Sequence, residues 1–170
     1  PLGPRRPKRP PPPLAEENTL RNEFFEATID PATGGIRAIN DYRTRGNRLA
    51  QRLALRWSGL SASYGHAGSS GPDESVYSVM VAERIEVEAA GPNQGRITSR
   101  GRLVDGRGQR LAGFRQTMVV RRGSRVLEFD IELTPEREPV ADPWRDYYAV
   151  RFAWDDDTAE LLRSVNLTSW

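Results

Sequence analysis

The sequence predicts an all-β protein built as an antiparallel β-sandwich. Apolar and polar residues alternate with a period of two along much of the chain, as in 127–133, where Leu, Phe, Ile and Leu alternate with Glu, Asp and Glu. Glycine-containing turn signals such as 91–95, 105–108 and 122–124 separate these runs. No segment shows a sustained apolar stripe of helical period. One sheet of this size would leave an apolar face exposed, so two packed layers are expected.

Two parts follow each other along the chain, an arm at residues 1–17 and a β-sandwich domain at residues 18–170. The arm begins PLGPRRPKRPPPP, in which most residues lack an amide donor and have a fixed φ, so it is predicted to be extended and disordered. Longer connections rich in Gly and Ser, or in Pro and charge, occupy 58–75 and 134–146. The candidate strands of the domain are 23–30, 35–40, 51–57, 76–89, 96–104, 111–121, 125–133, 147–154 and 161–168.

The alternation also predicts which side chains face the core. Glu128 and Tyr147 are expected to point outward, each on a strand whose alternate residues are apolar. The side chains expected to point inward on the same two strands are Leu127, Phe129, Ile131, Tyr148, Phe152 and Trp154.

A β-hairpin is predicted near the start of the domain. Asp30 and Pro31 open a turn that Gly34 and Gly35 can close, and one of these glycines is expected to hold a positive φ. The strand before the turn has the period of a half-buried strand, with apolar positions at Phe25, Ala27 and Ile29.

This hairpin has the order N-x-F-F-x-x-x-I-D-x-x-T-G-G-I-x-x-I-x-D, which resembles the opening of the C-terminal β-sandwich region of glycoside hydrolase family 38, the α-mannosidase type. A second stretch, 114–133, is similar to the family's long hairpin, in which a basic turn with glycine joins two strands, and Gly123 and Glu128 match that pattern. The matching positions of the first stretch are Asn22, Asp30, Thr33, Gly34, Gly35, Ile36, Ile39 and Asp41.

The resemblance implies a sandwich of the mutarotase-like supersandwich type. It also implies that the nucleophilic aspartate and the zinc ligands belong to an N-terminal α/β domain, which this chain lacks. No residue here is therefore expected to take the role of that nucleophile or of those zinc ligands.

The composition of the chain limits the classes of partner that it is expected to bind. The chain has 25 basic and 23 acidic residues, and four of the basic residues lie in the arm, which leaves a near-neutral domain for which no nucleic-acid partner is expected. Absence of cysteine excludes disulfides and thiolate metal sites, and no apolar run approaches the ~18 residues that a membrane span needs. Neither a membrane partner nor a cofactor is expected, and the compartment stays open.

Aromatic residues form the candidate binding site. Trp144 and Tyr147 are predicted to form a surface platform that stacks on sugar rings, with core packing as the alternative. His66, the only histidine, is a candidate acid or base of a mutarotase-type enzyme, against a solvated loop position. Asp155, Asp156 and Asp157 are candidate calcium ligands, against a solvated turn.

Three functions are consistent with these observations. The first is a non-catalytic β-sandwich domain of an α-mannosidase-like glycoside hydrolase, which supports the catalytic domain of the same polypeptide and lines part of its glycan cleft. The second is an autonomous carbohydrate-binding module. The third is a small mutarotase-type sugar enzyme, for which His66 is the main support.

Overall fold

The computed structural model describes residues 12–43, 49–58, 75–139, 145–154, 164–165 and 168–169. Strands are the only regular elements in these ranges, as the alternating pattern predicts. They are β1 (Ala15–Glu16), β2 (Thr19–Arg21), β3 (Phe25–Ile29), β4 (Ile36–Asp41), β5 (Ala50–Ser58), β6 (Ser75–Tyr77), β7 (Val79–Ala90), β8 (Gln94–Val104), β9 (Arg110–Arg121), β10 (Leu127–Pro135), β11 (Tyr147–Ala153), β12 (Ser164–Val165) and β13 (Thr168–Ser169).

The strands form three larger sheets and one short pair. The N-terminal sheet has the order β1-β2-β3-β4, the long sheet β10-β9-β8-β7 and the short sheet β11-β5-β6, while β12 pairs with β13. Every pairing is antiparallel. Strands of the N-terminal sheet and of the short sheet both contact the long sheet. The antiparallel β-sandwich predicted from the sequence is confirmed.

Two apolar clusters hold the layers together on one face of the long sheet. Ile97 and Leu103 of β8 are six residues apart and so point to the same face, and each belongs to a different cluster. The first cluster joins the N-terminal sheet to the long sheet and contains Leu14, Ala15, Leu20, Phe25, Ala27, Ile29, Ile36, Ile97, Met118 and Val120. The second joins the short sheet to the long sheet and contains Leu53, Met80, Leu103, Ala112 and Phe114.

A buried group of polar side chains lies among these layers, and we call it the polar seam: Gln51, Ser99 and Gln116. The two glutamine amides bond reciprocally, with Gln51 Nε2 donating to Gln116 Oε1 at 2.9 Å and Gln116 Nε2 donating to Gln51 Oε1 at 3.1 Å. Ser99 Oγ donates to the carbonyl of Gly34 at 2.8 Å. All three side chains are buried, and their bonds to one another and to the backbone offset the desolvation of these groups.

The hairpin turn between β3 and β4 forms as predicted. Gly34 has φ 77°, and its N–H donates to the carbonyl of Asp30 at 2.7 Å. The Asp30 carboxylate accepts the N–H of Ala32 at 2.9 Å, which is the local bond that favours Asp at the start of a turn. The carbonyl of Ala32 in turn accepts the N–H of Ala82 at 2.9 Å, so the turn is fixed to the long sheet.

Asn22 fixes the other end of the same motif. Its Oδ1 accepts the N–H groups of Phe24 at 2.9 Å and Phe25 at 3.2 Å, and its Nδ2 donates to the carbonyls of Arg121 at 3.1 Å and Ser124 at 2.7 Å. The first residue of the motif thus ties the start of β3 to the turn after β9.

Residues 14–17, which the sequence assigned to the disordered arm, belong to the folded part. Leu14 and Ala15 are buried in the first cluster, and β1 pairs with β2. Leu14 packs against Gly95, which has no side chain to block the approach. The prolines before Leu14 obscured this short apolar strand in the sequence.

Two predicted strands are each divided in two. The segment predicted at 76–89 forms β6, which pairs with β5, and β7, which pairs with β8. Ser78 between them still bonds to β5: its N–H donates to the Leu55 carbonyl at 2.9 Å and its Oγ accepts the Leu55 N–H at 2.8 Å. The segment predicted at 161–168 overlaps β12 and β13, which pair with each other.

Candidate functional site

Tyr147 is the predicted site residue that the structure describes. It begins β11 opposite Arg56, is half-buried, and has the Arg56 guanidinium 5.5 Å from its ring centroid. One face of the ring is therefore covered by a cation. Trp144, His66 and the run Asp155–Asp157 lie outside the described residues, and their predicted roles stay predictions.

The prediction that Phe152 and Trp154 point into the core is wrong. Phe152 is 47% exposed and Trp154 is 44% exposed, whereas Tyr148 on the same strand packs against the second cluster. The alternation of β11 is as predicted at its start. Toward the end of the strand, the side chains of Phe152 and Trp154 stay in contact with water.

The exposed Phe152 borders an apolar groove. The groove has a volume of about 480 Å³, within the range of roughly 300–1,000 Å³ that is typical of ligand sites. Within it, the rings of Phe129 and Phe152 meet edge to face, 6.4 Å apart at an interplanar angle of 80°. Residues from both layers of the sandwich line the groove: Phe25, Ile39, Asp41, Leu49, Arg125, Leu127, Phe129 and Phe152.

The polar part of the groove is an ion pair. Arg125 Nη1 lies 3.8 Å from Asp41 Oδ2, and the Arg125 guanidinium is 4.3 Å from the ring centroid of Phe24. The Asp41 Oδ1 accepts the N–H of Arg43 at 2.7 Å. The aspartate is thus oriented by the backbone and the arginine by an aromatic ring, which gives the groove one fixed acceptor and one fixed donor.

β10 forms one wall of the groove and is the last strand of the long sheet. Its inner side chains Leu127 and Phe129 are half-buried, while Glu128, Asp130 and Glu132 on the other face are exposed. The predicted orientation of β10 is therefore confirmed. Its inner residues are covered on one side only, because within the described residues β10 pairs with β9 alone.

Asp30 and Tyr148 are two of the described side chains whose pKa is shifted. Burial alone would raise the pKa of Asp30, but the N–H of Ala32 and the charge of Arg52, whose Nη2 donates at 2.7 Å, outweigh burial and lower it. Burial and the charge of Glu138 raise the pKa of Tyr148, whose hydroxyl donates to carbonyl oxygens of β9 and of the β10–β11 connection. Both groups bond within the fold, and neither lines the groove.

A search for metal ligands among the described residues finds no group of three or more His, Cys, Asp or Glu side chains placed to hold an ion. The same residues contain no helix of the length and apolarity needed to cross a membrane. Comparisons with protein-family models, with curated proteins and with solved structures find no match to this chain.

The groove was not predicted from the sequence. Each of its aromatic residues had been assigned to the core by alternation, and alternation assigns a face without showing whether another layer covers that face. The signal that would have found it is topological: among the described strands, both β10 and β11 lie at the edge of a sheet, with apolar residues on their inner faces.

Proposed function

We propose that this chain is a non-catalytic β-sandwich domain of an α-mannosidase-like glycoside hydrolase, of the supersandwich type, which docks on the catalytic domain of the same polypeptide and supports it. The apolar groove is the observation that carries the proposal. The edge-to-face phenylalanine pair remains partly in water, and covering its apolar surface with another surface would lower the free energy.

The roles of the motif residues support the same function. Asn22 connects two turns, Asp30 and Gly34 close the hairpin, and Thr33 Oγ1 accepts the Gly35 N–H at 3.3 Å. Each of these residues holds the backbone of a turn in place, as expected of a motif that maintains a scaffold.

Activity assays and the flanking coding sequence test this proposal. We expect no hydrolysis of an aryl α-mannoside by the isolated chain, with or without added zinc, and we expect the flanking sequence to encode an α/β domain with aspartate and histidine at metal-ligand spacing. Turnover that His66→Ala abolishes would overturn the proposal in favour of a mutarotase-type enzyme. A flanking sequence without such a domain would also count against it.

A carbohydrate-binding module is the second candidate, and the exposed Phe152 and Trp154 favour it. Aromatic side chains that face water can stack on sugar rings, and Phe152 also lines the groove. Titration with mannose-containing oligosaccharides, followed by NMR, separates the two functions. A module loses affinity in Phe152→Ala, Trp154→Ala or Trp144→Ala and keeps it in Tyr42→Ala, a control at an exposed tyrosine outside the groove lining. A scaffold gives no response up to millimolar sugar.

A further inference from the structure

The two edges of the long sheet differ in regularity. β7 pairs with β8 through a register that shifts between Ala82 and Arg84 and again between Val87 and Ala89. β10 pairs with β9 over all nine of its residues without a shift. Bulges interrupt the row of free backbone groups and so protect an edge from added strands, whereas a regular edge presents a continuous template.

The side chains of β10 fit one kind of added strand. A strand that pairs with β10 places one half of its side chains beside Leu127 and Phe129, over the apolar groove, and the other half beside Glu128, Asp130 and Glu132 on the opposite face. The apolar row is half-buried and the acidic row is exposed. A complementary strand therefore has apolar residues at alternate positions and arginine or lysine between them.

A second copy of the same strand does not satisfy this requirement. β10 against β10 would bring two rows of carboxylates onto one face, and like charges opposite each other are destabilising. Glu128 already pairs with Arg121, and Glu132 Oε1 lies 3.4 Å from Arg115 Nη1. Asp130 has the uncharged Thr117 as its partner on β9, which makes it the acidic position most open to a new cation.

We propose that β10 is a strand-addition site, and that its occupant is an extended segment of the partner domain with apolar and basic residues in alternation. This rests on the proposed scaffold function and specifies how the docking occurs. Main-chain hydrogen bonds to the edge of β10 opposite β9, where no described strand pairs, supply affinity; the groove selects apolar side chains, and the acidic row selects basic ones.

The test uses the whole chain and a defined probe, a peptide as long as β10 in which arginine and valine alternate. Binding is followed by NMR titration, and the amides of β10 are followed by hydrogen exchange. We expect binding that slows the exchange of those β10 amides that do not bond to β9. A peptide with glutamate in place of arginine should bind several-fold more weakly, because it repeats the charge of the acidic row.

Matched variants identify the site. Asp130→Arg should weaken binding of the arginine–valine peptide several-fold, and Phe152→Ser, at an exposed wall of the groove, should also weaken it. Glu86→Arg makes the same charge reversal at a half-buried position on the bulged edge β7, where Glu86 pairs with Arg84, and should leave binding unchanged. Circular dichroism of each variant confirms that the fold is retained.

Three results would overturn the proposal. They are absence of binding at millimolar peptide, equal weakening by Asp130→Arg and Glu86→Arg, and sedimentation of the free chain as a dimer that Asp130→Arg alters, which would make a second copy the occupant. The scaffold function fails separately, through mannoside turnover or the flanking sequence. If the peptide does not bind but the flanking sequence encodes a catalytic domain, the β-sandwich docks on that domain through a surface other than β10.

Discussion

The centres of the two apolar clusters and their margins are built from the same alternating pattern and yet differ in closure. At the centres, around Ile97 and Leu103, every member of both clusters is withdrawn from water. At the margins, the side chains that pack against the clusters from β10 and β11 are only partly buried: Leu127, Phe129, Ile131, Leu133 and Tyr148. Beyond the second cluster, β11 continues with exposed apolar side chains.

The difference teaches that alternation and coverage are separate properties. The pattern of a strand determines which face is apolar, whereas the number and extent of the strands above it determine whether that face is dry. A closed cluster contributes stability to the domain itself. An open apolar edge contributes stability only when a partner covers it, which is why we place the function at the open side.

Three phenylalanines around the groove should differ most in how much their truncation lowers the free energy of unfolding. Phe25 is 7% exposed, Phe129 is half-buried and Phe152 is 47% exposed. Truncation to alanine should lower the free energy of unfolding by about 3–5 kcal/mol at Phe25. The same truncation should lower the free energy of unfolding by less at Phe129, and by under about 1.5 kcal/mol at Phe152, where less apolar area is buried. Urea denaturation measures all three, and equal losses at Phe25 and Phe152 would show that the open edge is closed in solution.

Two glycines with a left-handed backbone conformation should differ in how strongly substitution destabilises the fold, and this is the next largest expected difference. Gly34 has φ 77° and lies under the long sheet, so that an added Cβ would be 2.9 Å from the Ser99 Cβ, whereas Gly108 has φ 81° and nothing within 4 Å. Gly34→Ala combines backbone strain with overpacking and should destabilise by about 2–4 kcal/mol. Gly108→Ala carries the strain alone and should destabilise by about 1–2 kcal/mol. Thermal unfolding of the two variants side by side makes the comparison, and a larger loss at Gly108 would contradict it.

The polar seam allows a test of coupling among the layers. Gln51→Leu or Gln116→Leu alone leaves the other amide buried without its partner, which should destabilise by about 1–3 kcal/mol. The double variant removes both polar groups together and should destabilise by less than the sum of the two single losses. A double-mutant cycle from urea denaturation measures the coupling. Strict additivity would mean that the two amides are satisfied independently.

Much of this fold is predictable from the sequence because its signals are local. The β3–β4 turn follows from Asp30 and Gly34, whose conformational preferences act within a few residues. The face of β10 follows from simple alternation. These features need no knowledge of which strands are neighbours.

The remaining features depend on contacts between distant residues. Leu14 is buried because Gly95 admits it, and the segment at 76–89 is divided because β6 pairs with β5 and β7 pairs with β8. Likewise, Phe152 borders a groove because β11 lies, among the described strands, at the edge of its sheet. The candidate site is therefore the part of the molecule that alternation alone could not predict, since edge position is a property of topology.

The smallest expected effect concerns the ion pair between β5 and the end of β3, where Arg52 and Asp30 connect the short sheet to the N-terminal sheet. The folded state lowers the pKa of Asp30, so this carboxylate adds stability above its unfolded pKa of ~3.9 and loses that contribution as pH falls through the lowered folded value. Because the pair is partly exposed, the contribution should be under about 1 kcal/mol. Urea denaturation at neutral pH and near pH 3 should therefore show a smaller acid loss in Asp30→Asn than in the unchanged chain.

Arg52→Met separates the two favourable causes of the lowered pKa. It removes the guanidinium but leaves the N–H of Ala32 in place, so it should reduce the acid-dependent loss by less than Asp30→Asn does. Equal effects of the two variants would assign the whole contribution to Arg52, and the ion pair would then be the only electrostatic connection that Asp30 makes between the two sheets. An unchanged acid loss in Asp30→Asn would mean that the carboxylate stabilises the turn no better than an amide, so that the hairpin depends on Gly34 and on the backbone bonds alone.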